Sequence, residues 1–321
     1  MKYFLKKTIT LIITLFFVSV VTFLIFQVIP GDAALSIGGS EATPEEIEQI
    51  REELGLNAPL VQRYGDWMWG FIHGDFGKSY TYSDGSGRMD VSRLLGDKLP
   101  VTLWLALMSV VIIVVVSIPL GIVWAKVKKP WLDGLFAAVN QVVMAIPSFF
   151  LGVLVSFIFG LILKWFTPGA YVSYKTSFGG FFAYMFFPAF ALALPKIAMT
   201  VKFLQTSMRK ELTSDYVRTA YAKGCTGIRV MFSHVLKNSI IPVITFLGVV
   251  LSEVMAGSIV VEQVFSIPGI GRLLISSIST RDFPVVQAII MYIATVVMLV
   301  YFATDVLYKL VDPRIGGQAD D

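Results

Sequence analysis

Long apolar runs dominate the chain, broken by short polar connections. A helix needs about 20 apolar residues to cross a hydrocarbon core of about 30 Å. Runs that meet this requirement span residues 8–29, 101–125, 137–163, 186–204, 240–261 and 285–307. The third is preceded by 131–136 and contains Pro147, which predicts a kink or a tilted approach to the membrane. The fourth is the least regular, since it carries Pro188, Pro195, Lys196 and Lys202. The first follows Lys2, Lys6 and Lys7 as a signal peptide would, but it exceeds a removable apolar region of about 7–15 residues and lacks a small-x-small cleavage site. It reads as a retained first crossing. The expected fold class is therefore an all-α integral membrane protein with six transmembrane helices, both ends on one side.

Basic residues choose the side. One set of connections holds Lys2, Lys6 and Lys7, then Lys126, Lys128 and Lys129, then Arg209, Lys210, Arg218, Lys223, Arg229 and Lys237. The opposite short loops hold Lys164, Lys175, Arg272 and Arg281. The positive-inside rule then predicts cytoplasmic termini. Residues 30–100 become an extracytoplasmic insert with twelve Asp or Glu against six Lys or Arg. Within it, Thr43 as N-cap, Pro44 at the first helical position, Glu46 three residues after the cap and Gly55 as terminator predict a capped helix. The insert is a small folded element and not a slack linker.

Composition agrees. Of 321 residues, 56% are hydrophobic and 15% charged, against roughly 25% charged in a soluble domain. A net charge of +4 and a pI near 9.0 would suit nucleic acid, but in such a chain Lys and Arg report orientation first. No nucleic-acid partner is expected. The one cysteine, Cys225, excludes an intramolecular disulfide and a multi-cysteine metal cluster. His73 and His234 fall on opposite sides of the membrane, so no histidine zinc site is expected. Gly74-Asp-Phe-Gly-Lys-Ser79 fails as a phosphate loop because Ile72 stands where the first glycine belongs. It reads as a turn before Tyr80. No catalytic residue and no metal site are predicted.

The informative segment is the longest cytoplasmic connection, residues 208–239. Asp215 suits an N-cap, 216–223 make two helical turns, and Gly224 can take the left-handed terminating conformation. Thr226 and Gly227 allow a second start, after which 228–238 keep helical spacing. The two helices and the glycine turn predict a compact knob. On physics alone, an ordinary basic interfacial loop fits as well.

Asp215-Tyr-Val-Arg-Thr-Ala-Tyr-Ala-Lys-Gly224 resembles the cytoplasmic signature of binding-protein-dependent ABC importer permeases, in the oligopeptide/dipeptide/nickel form. Lys237 replaces the proline of the general pattern, with Pro242 five residues on, as in the peptide branch. The resemblance extends along the chain through Ile29-Pro-Gly-Asp32, Leu54-Gly-Leu-Asn-Ala-Pro-Leu60, Gly74 to Ser79, Leu99-Pro-Val-Thr-Leu103, the run from Val260 to Arg272, Arg281 to Gln287, and Asp312-Pro-Arg314. It implies the B-type, usually first-encoded permease subunit, with a type I ABC importer permease fold. The implied division is a first helix (1–30), the insert (31–98), a five-helix permease core (99–310) with its coupling loop, and a cytoplasmic tail (311–321).

What the resemblance implies about function is equally specific. This chain and a second homologous permease subunit would form the pathway in a bacterial plasma membrane. Two cytoplasmic ABC ATPases would bind ATP and Mg, leaving this chain without a cofactor, and an extracytoplasmic substrate-binding protein would deliver di- or oligopeptides. ATPase coupling would fall to Asp215, Tyr216, Arg218, Thr219, Ala220, Ala222, Lys223 and Gly224. Arg218 and Lys223 would meet acidic groups on an ATPase, although a basic face answering to anionic membrane lipid is the alternative. Buried polar groups mark pathways in membranes, which nominates Glu253, Asn140 and Gln141. Glu253 would equally be satisfied by Lys196 or Lys202, and Asn140 and Gln141 by bonds between helices. Glu262 is expected near the outer mouth, facing a binding protein or the neighbouring permease. Nickel chelates, glutathione or oligosaccharides are alternative cargoes. A secondary carrier or a membrane scaffold is the alternative class.

Overall fold

The computed structural model describes residues 2–28, 33–38, 42–53, 55–85 and 87–311. The motif at 29–32, Leu54 and the motif at 312–314 lie outside the described residues. Thirteen α-helical segments and one two-stranded hairpin are described. Among the described residues, five helices are long and apolar enough to cross a membrane, or six if one sharply bent pair counts as one span. The chain divides into two compact units, Met1–Thr102 with Pro268–Leu299, and Leu103–Ile267 with Val300–Asp321.

In the first unit, α1 (Lys2–Val28) is apolar on all sides, as a lipid-facing span must be. Short helices α2 (Ala33–Gly38), α3 (Pro44–Glu53) and α4 (Leu60–His73) follow. The cap of α3 is the one its sequence predicts. The Thr43 N–H donates to Glu46 Oε2 at 2.8 Å, and the Glu46 N–H donates to Thr43 Oγ1 at 3.3 Å. That backbone bond holds the Glu46 carboxyl below the usual carboxylate range. Gly55, at φ +63, sits just after the helix as the terminator. Helix α4 rests on α1 through aromatic rings, with Phe23 edge-on to Tyr64 at 5.4 Å, and Ser19 shares a 2.8 Å hydrogen bond with the Tyr64 hydroxyl.

The turn before Tyr80 is present, with Gly74 and Gly77 both at positive φ. It feeds two short antiparallel strands, β1 (Lys78–Ser83) and β2 (Arg88–Asp90). This hairpin is the exception to an otherwise helical fold. Tyr80, Thr81 and Tyr82 are aromatic or β-branched and favour a strand, and exposure alternates along it, with Ser79 buried and Lys78, Thr81 and Ser83 exposed. Helix α12 (Ile270–Ser279) and the first half of α13 (Phe283–Val311) complete this unit.

Helix α5 (Val91–Ala125) leads into the second unit, where α6 (Pro130–Ala145) and α7 (Ser148–Val155) are the bent pair. A π-helical extension, Ser156–Ile162, continues α7. The axes turn by 96° at Ile146-Pro147. Proline cannot donate to a continuing helix and forces the residue before it into an extended conformation, which Ile146 adopts. The expected kink is thus a full break.

Helix α8 (Phe178–Leu212) corresponds to the least regular run, yet it is one 35-residue helix with both prolines inside it. It is the most buried of the long helices, since 61% of its most apolar window is covered within the chain. A helix wrapped by α6, α7 and α11 need not be uniformly apolar, because protein and not lipid surrounds it. After α9 (Asp215–Ala222), the run from α10 (Gly227–Arg229) through a π-helical stretch (Val230–Val235) into α11 (Leu236–Val264) is continuous. The fifth span therefore starts well before residue 240. The second arm of the knob is its head.

Candidate functional site

The knob is built from a short helix with two unlike faces. On α9, Val217 and Ala220 are buried, while Tyr216, Arg218, Thr219, Tyr221, Ala222 and Lys223 are exposed. The buried pair joins a cluster with Ile122 and Ala125 of α5, Leu204 and Met208 of α8, and Val230, Met231 and Val235 of the following helix. Burying a valine stabilises by roughly 1.5–3 kcal/mol, enough to hold an eight-residue helix that would not persist alone.

Ser214, not Asp215, occupies the N-cap position of α9. The Ser214 backbone is extended, and Asp215 is the first helical residue, where its carboxylate favours the positive helix end. The Asp215 side chain is almost wholly exposed and lies 3.9 Å from Arg218, a surface pairing of small energy. At the other end, the Gly224 N–H donates to the Tyr221 carbonyl at 2.9 Å, and the Cys225 N–H to the Ala220 carbonyl at 3.1 Å. Gly224 has φ +79, the left-handed terminating conformation. Thr226 starts the next helix as expected, its hydroxyl accepting from the Arg229 N–H at 3.4 Å.

A polar clamp that sequence reasoning missed secures the base of the knob. Arg209, in the last turn of α8, donates to both oxygens of Asp133 on α6, at 3.1 and 2.7 Å. The Trp124 indole N–H of α5 donates to the same carboxylate at 2.7 Å. Arg209 also reaches the carbonyls of Trp124 and Val127. A planar guanidinium suits this fork because it holds several acceptors at fixed angles. Lys202 lies over the Trp124 ring, 4.8 Å from its centre. The Tyr216 hydroxyl donates to Glu211 at 2.5 Å, and its phenol is pushed up by burial first and by that bond second. Four separated stretches thus converge on one end of the helical unit.

The pathway candidates are not brought together. Glu253 of α11 forms an ion pair with Lys196 of α8, which selects Lys196 from the two partners the charges allowed. Asn140 donates to the Met144 sulfur at 3.3 Å within α6, and Gln141 is exposed. Among the described residues, no hydrogen bond or ion pair joins either to Glu253. Glu262 is fully buried, so it offers no surface to a docking protein. The helix that carries it packs inward there, as its buried neighbours Val261 and Phe265 indicate.

In the other unit, motifs far apart in sequence meet. The buried Asp282 carboxylate accepts hydrogen bonds from the Ser79 hydroxyl and, at 3.1 Å each, from the Tyr80 and Thr81 N–H groups. Thr102 accepts from the Ile270 N–H at 2.9 Å. The runs 74–79 and 281–287 thus meet through Ser79 and Asp282, and Leu99–Thr102 meets the stretch after Pro268 through Thr102 and Ile270. Hydrophobic pattern gave no signal for either.

Comparison with known proteins supplies an independent line. Residues 117–317 match the family described as binding-protein-dependent transport system inner membrane component, and residues 1–106 match its N-terminal companion. Over 311 residues the chain is 35% identical to a Brucella abortus permease protein assigned to a peptide transport system, covering 97% of this chain and 98% of that one. It is 34% identical to the oligopeptide transport system permease protein AppB of Bacillus subtilis, over 98% of each chain. It is 35% identical to the glutathione transport system permease protein GsiC of Escherichia coli, over 98% of this chain and 99% of that one.

Proposed function

Because this chain belongs to the family of binding-protein-dependent transport system inner membrane components, we propose that it carries di- and oligopeptides across the bacterial inner membrane, with both termini in the cytoplasm. It is a multi-pass membrane permease subunit of an ABC importer, and a non-catalytic one. Its working partners are a second homologous permease, two cytoplasmic ATPases that bind ATP and Mg, and an extracytoplasmic substrate-binding protein. The knob at 208–239 is the coupling element. It sits in a cleft of one ATPase, and nucleotide-driven closure there tilts α8 and α11 between two arrangements.

The observation that carries this reading is the two-sided construction of α9. One face is locked into a cluster fed by α5, α8 and the head of α11. The other presents Tyr216, Arg218, Tyr221 and Lys223 to a partner. A rigid handle on two long helices transmits force, where a slack loop would absorb it. The π-helical stretch at Val230–Val235 places an irregular turn between handle and span, a common site of functional bending. Glu253, Asn140 and Gln141 stand as pathway residues, with Glu253 the group that cargo would reach by competing with Lys196.

Purification of the tagged chain from its native host tests the assembly. The expected companions are a second permease and two ATPases; a chain isolated alone refutes the reading. Uptake of labelled peptides and glutathione into cells lacking the chain then assigns the cargo. In intact cells a charged, impermeant thiol reagent leaves Cys225 unmodified. Ready modification there overturns the orientation.

A further inference from the structure

In the unit formed by Met1–Thr102 and Pro268–Leu299, a cavity of about 1110 Å³ opens among α1, α4, the hairpin and the start of α13. Its size suits a small organic ligand. Its lining includes the aromatic rings of Phe23, Phe26, Trp67, Phe76 and Phe283 and the basic side chains of Arg51, Arg63, Lys78 and Arg88.

The charge distribution is the informative feature. Residues 30–100 contain twelve acidic and six basic side chains, so an arbitrary cavity in this segment would be acidic. Instead four of the six basic residues line it, one of them, Arg51, paired with Glu48 at 3.5 Å, against Asp66 and Asp75 of the twelve acids, both exposed. Among the described residues, neither the half-buried Arg63 nor Lys78 has a carboxylate within 4.0 Å. A partly buried guanidinium without a counter-charge is costly, and an anion with hydrogen-bonding oxygens removes that cost. Tyr80 lines the cavity as well. Burial pushes its phenol up to about 12, and Asp282 adds to this, while Arg63 and Arg88 act in the opposite direction. Both guanidinium groups therefore lie within electrostatic reach of one point on the wall.

We propose that this cavity binds an anionic amphiphile, its carboxylate or phosphate head held by Arg63 and Lys78 and its apolar body against Phe23, Trp67 and Phe283. Two sources supply that chemistry, a solute such as a short peptide with a free carboxylate, or the head of an anionic phospholipid. The inference does not rest on the transport reading.

The test uses the full chain, purified with the components that accompany it, in nanodiscs of phosphatidylcholine. The probes are the dipeptide Ala-Phe and its C-terminal amide, followed by calorimetry, and phosphatidylglycerol added to the disc, followed by native mass spectrometry. At least one of the two anions binds, and binding weakens with salt. Arg63→Gln weakens it at least tenfold. Arg63→Lys stays within about threefold, as does Arg93→Gln, whose guanidinium pairs with Asp84 at 2.9 Å and does not line the cavity. Binding of Ala-Phe assigns a solute, and retention of phosphatidylglycerol assigns a lipid. Should Arg63→Gln fail to fold, Lys78→Gln gives the same comparison. The proposal is overturned if neither anion binds, if the amide binds as well as the acid, or if the charge-removing variants leave binding unchanged.

Discussion

Gly224 offers the sharpest test of the knob as a handle, because its cost can be worked from one torsion angle. The residue has φ +79, and beyond its two chain neighbours no heavy atom lies within 4 Å of the position a Cβ would take. A side chain there meets no neighbour, so the penalty is backbone strain alone, about 1–2 kcal/mol for an L-residue. That reduces the population of the intact turn by roughly 5–30-fold. Asparagine tolerates the left-handed conformation and recovers part of the loss, while a β-branched residue fits it worst. Uptake per ATP hydrolysed, measured in proteoliposomes holding the full transporter, is expected to fall in the order Gly, Asn, Ala, Val. Gly224→Asp is expected to insert normally, with the partner ATPases hydrolysing ATP without matching uptake. Thermal stability of the membrane helices changes little across the series, since the buried cluster beneath α9 is untouched. Equal coupling in Gly224→Ala and Gly224→Val would refute the reasoning, and so would an asparagine variant no better than alanine.

Other expectations follow from the same contacts. Val217→Ala removes buried methyl groups from the cluster and costs about 2 kcal/mol, read as a lower melting temperature together with weaker coupling. Ser79→Ala takes one donor from the buried Asp282 carboxylate, at a cost of about 1–3 kcal/mol, read as faster proteolysis of the segment that carries the hairpin. Tyr80 holds its proton up to about 12 in the folded chain, against about 10 when unfolded. The folded state is thus unaffected below pH 10 and loses about 3 kcal/mol as pH rises from 10 to 12, a loss that Tyr80→Phe abolishes in alkaline unfolding curves. Lys196→Met strands the Glu253 carboxylate and lowers stability, whereas Lys196→Met with Glu253→Met restores it without restoring uptake. Recovery of uptake in the double variant would make the pair purely structural.

Much of the molecule was legible one residue at a time. Apolar run length follows from the thickness of a bilayer, so the spans were readable wherever the run is uniformly apolar, as in α1 and α5. The Thr43–Glu46 capping box, the Gly224 terminator and the Thr226 start were equally legible, because each is satisfied by atoms within a few residues. The pattern was least regular at α8, where neighbouring helices relieve the demand for uniform apolarity and let two prolines and two lysines sit inside one helix. It also under-read Pro147, since sequence marks a missing hydrogen bond but not the 96° turn that follows from it.

What only the tertiary structure decided were the pairings between distant residues. Glu253 had two lysines within reach of any sequence argument, and packing of α8 against α11 selected Lys196. Asp133, Arg209 and Trp124 are unremarkable in sequence and become one clamp only when three helix ends converge. Ser79 and Asp282, about two hundred positions apart, share a buried hydrogen bond that no local pattern announces. Local rules depend on backbone geometry and solvent, which each segment meets by itself. A partner across the fold is fixed only when burial removes water and leaves a polar group one remaining place to bond.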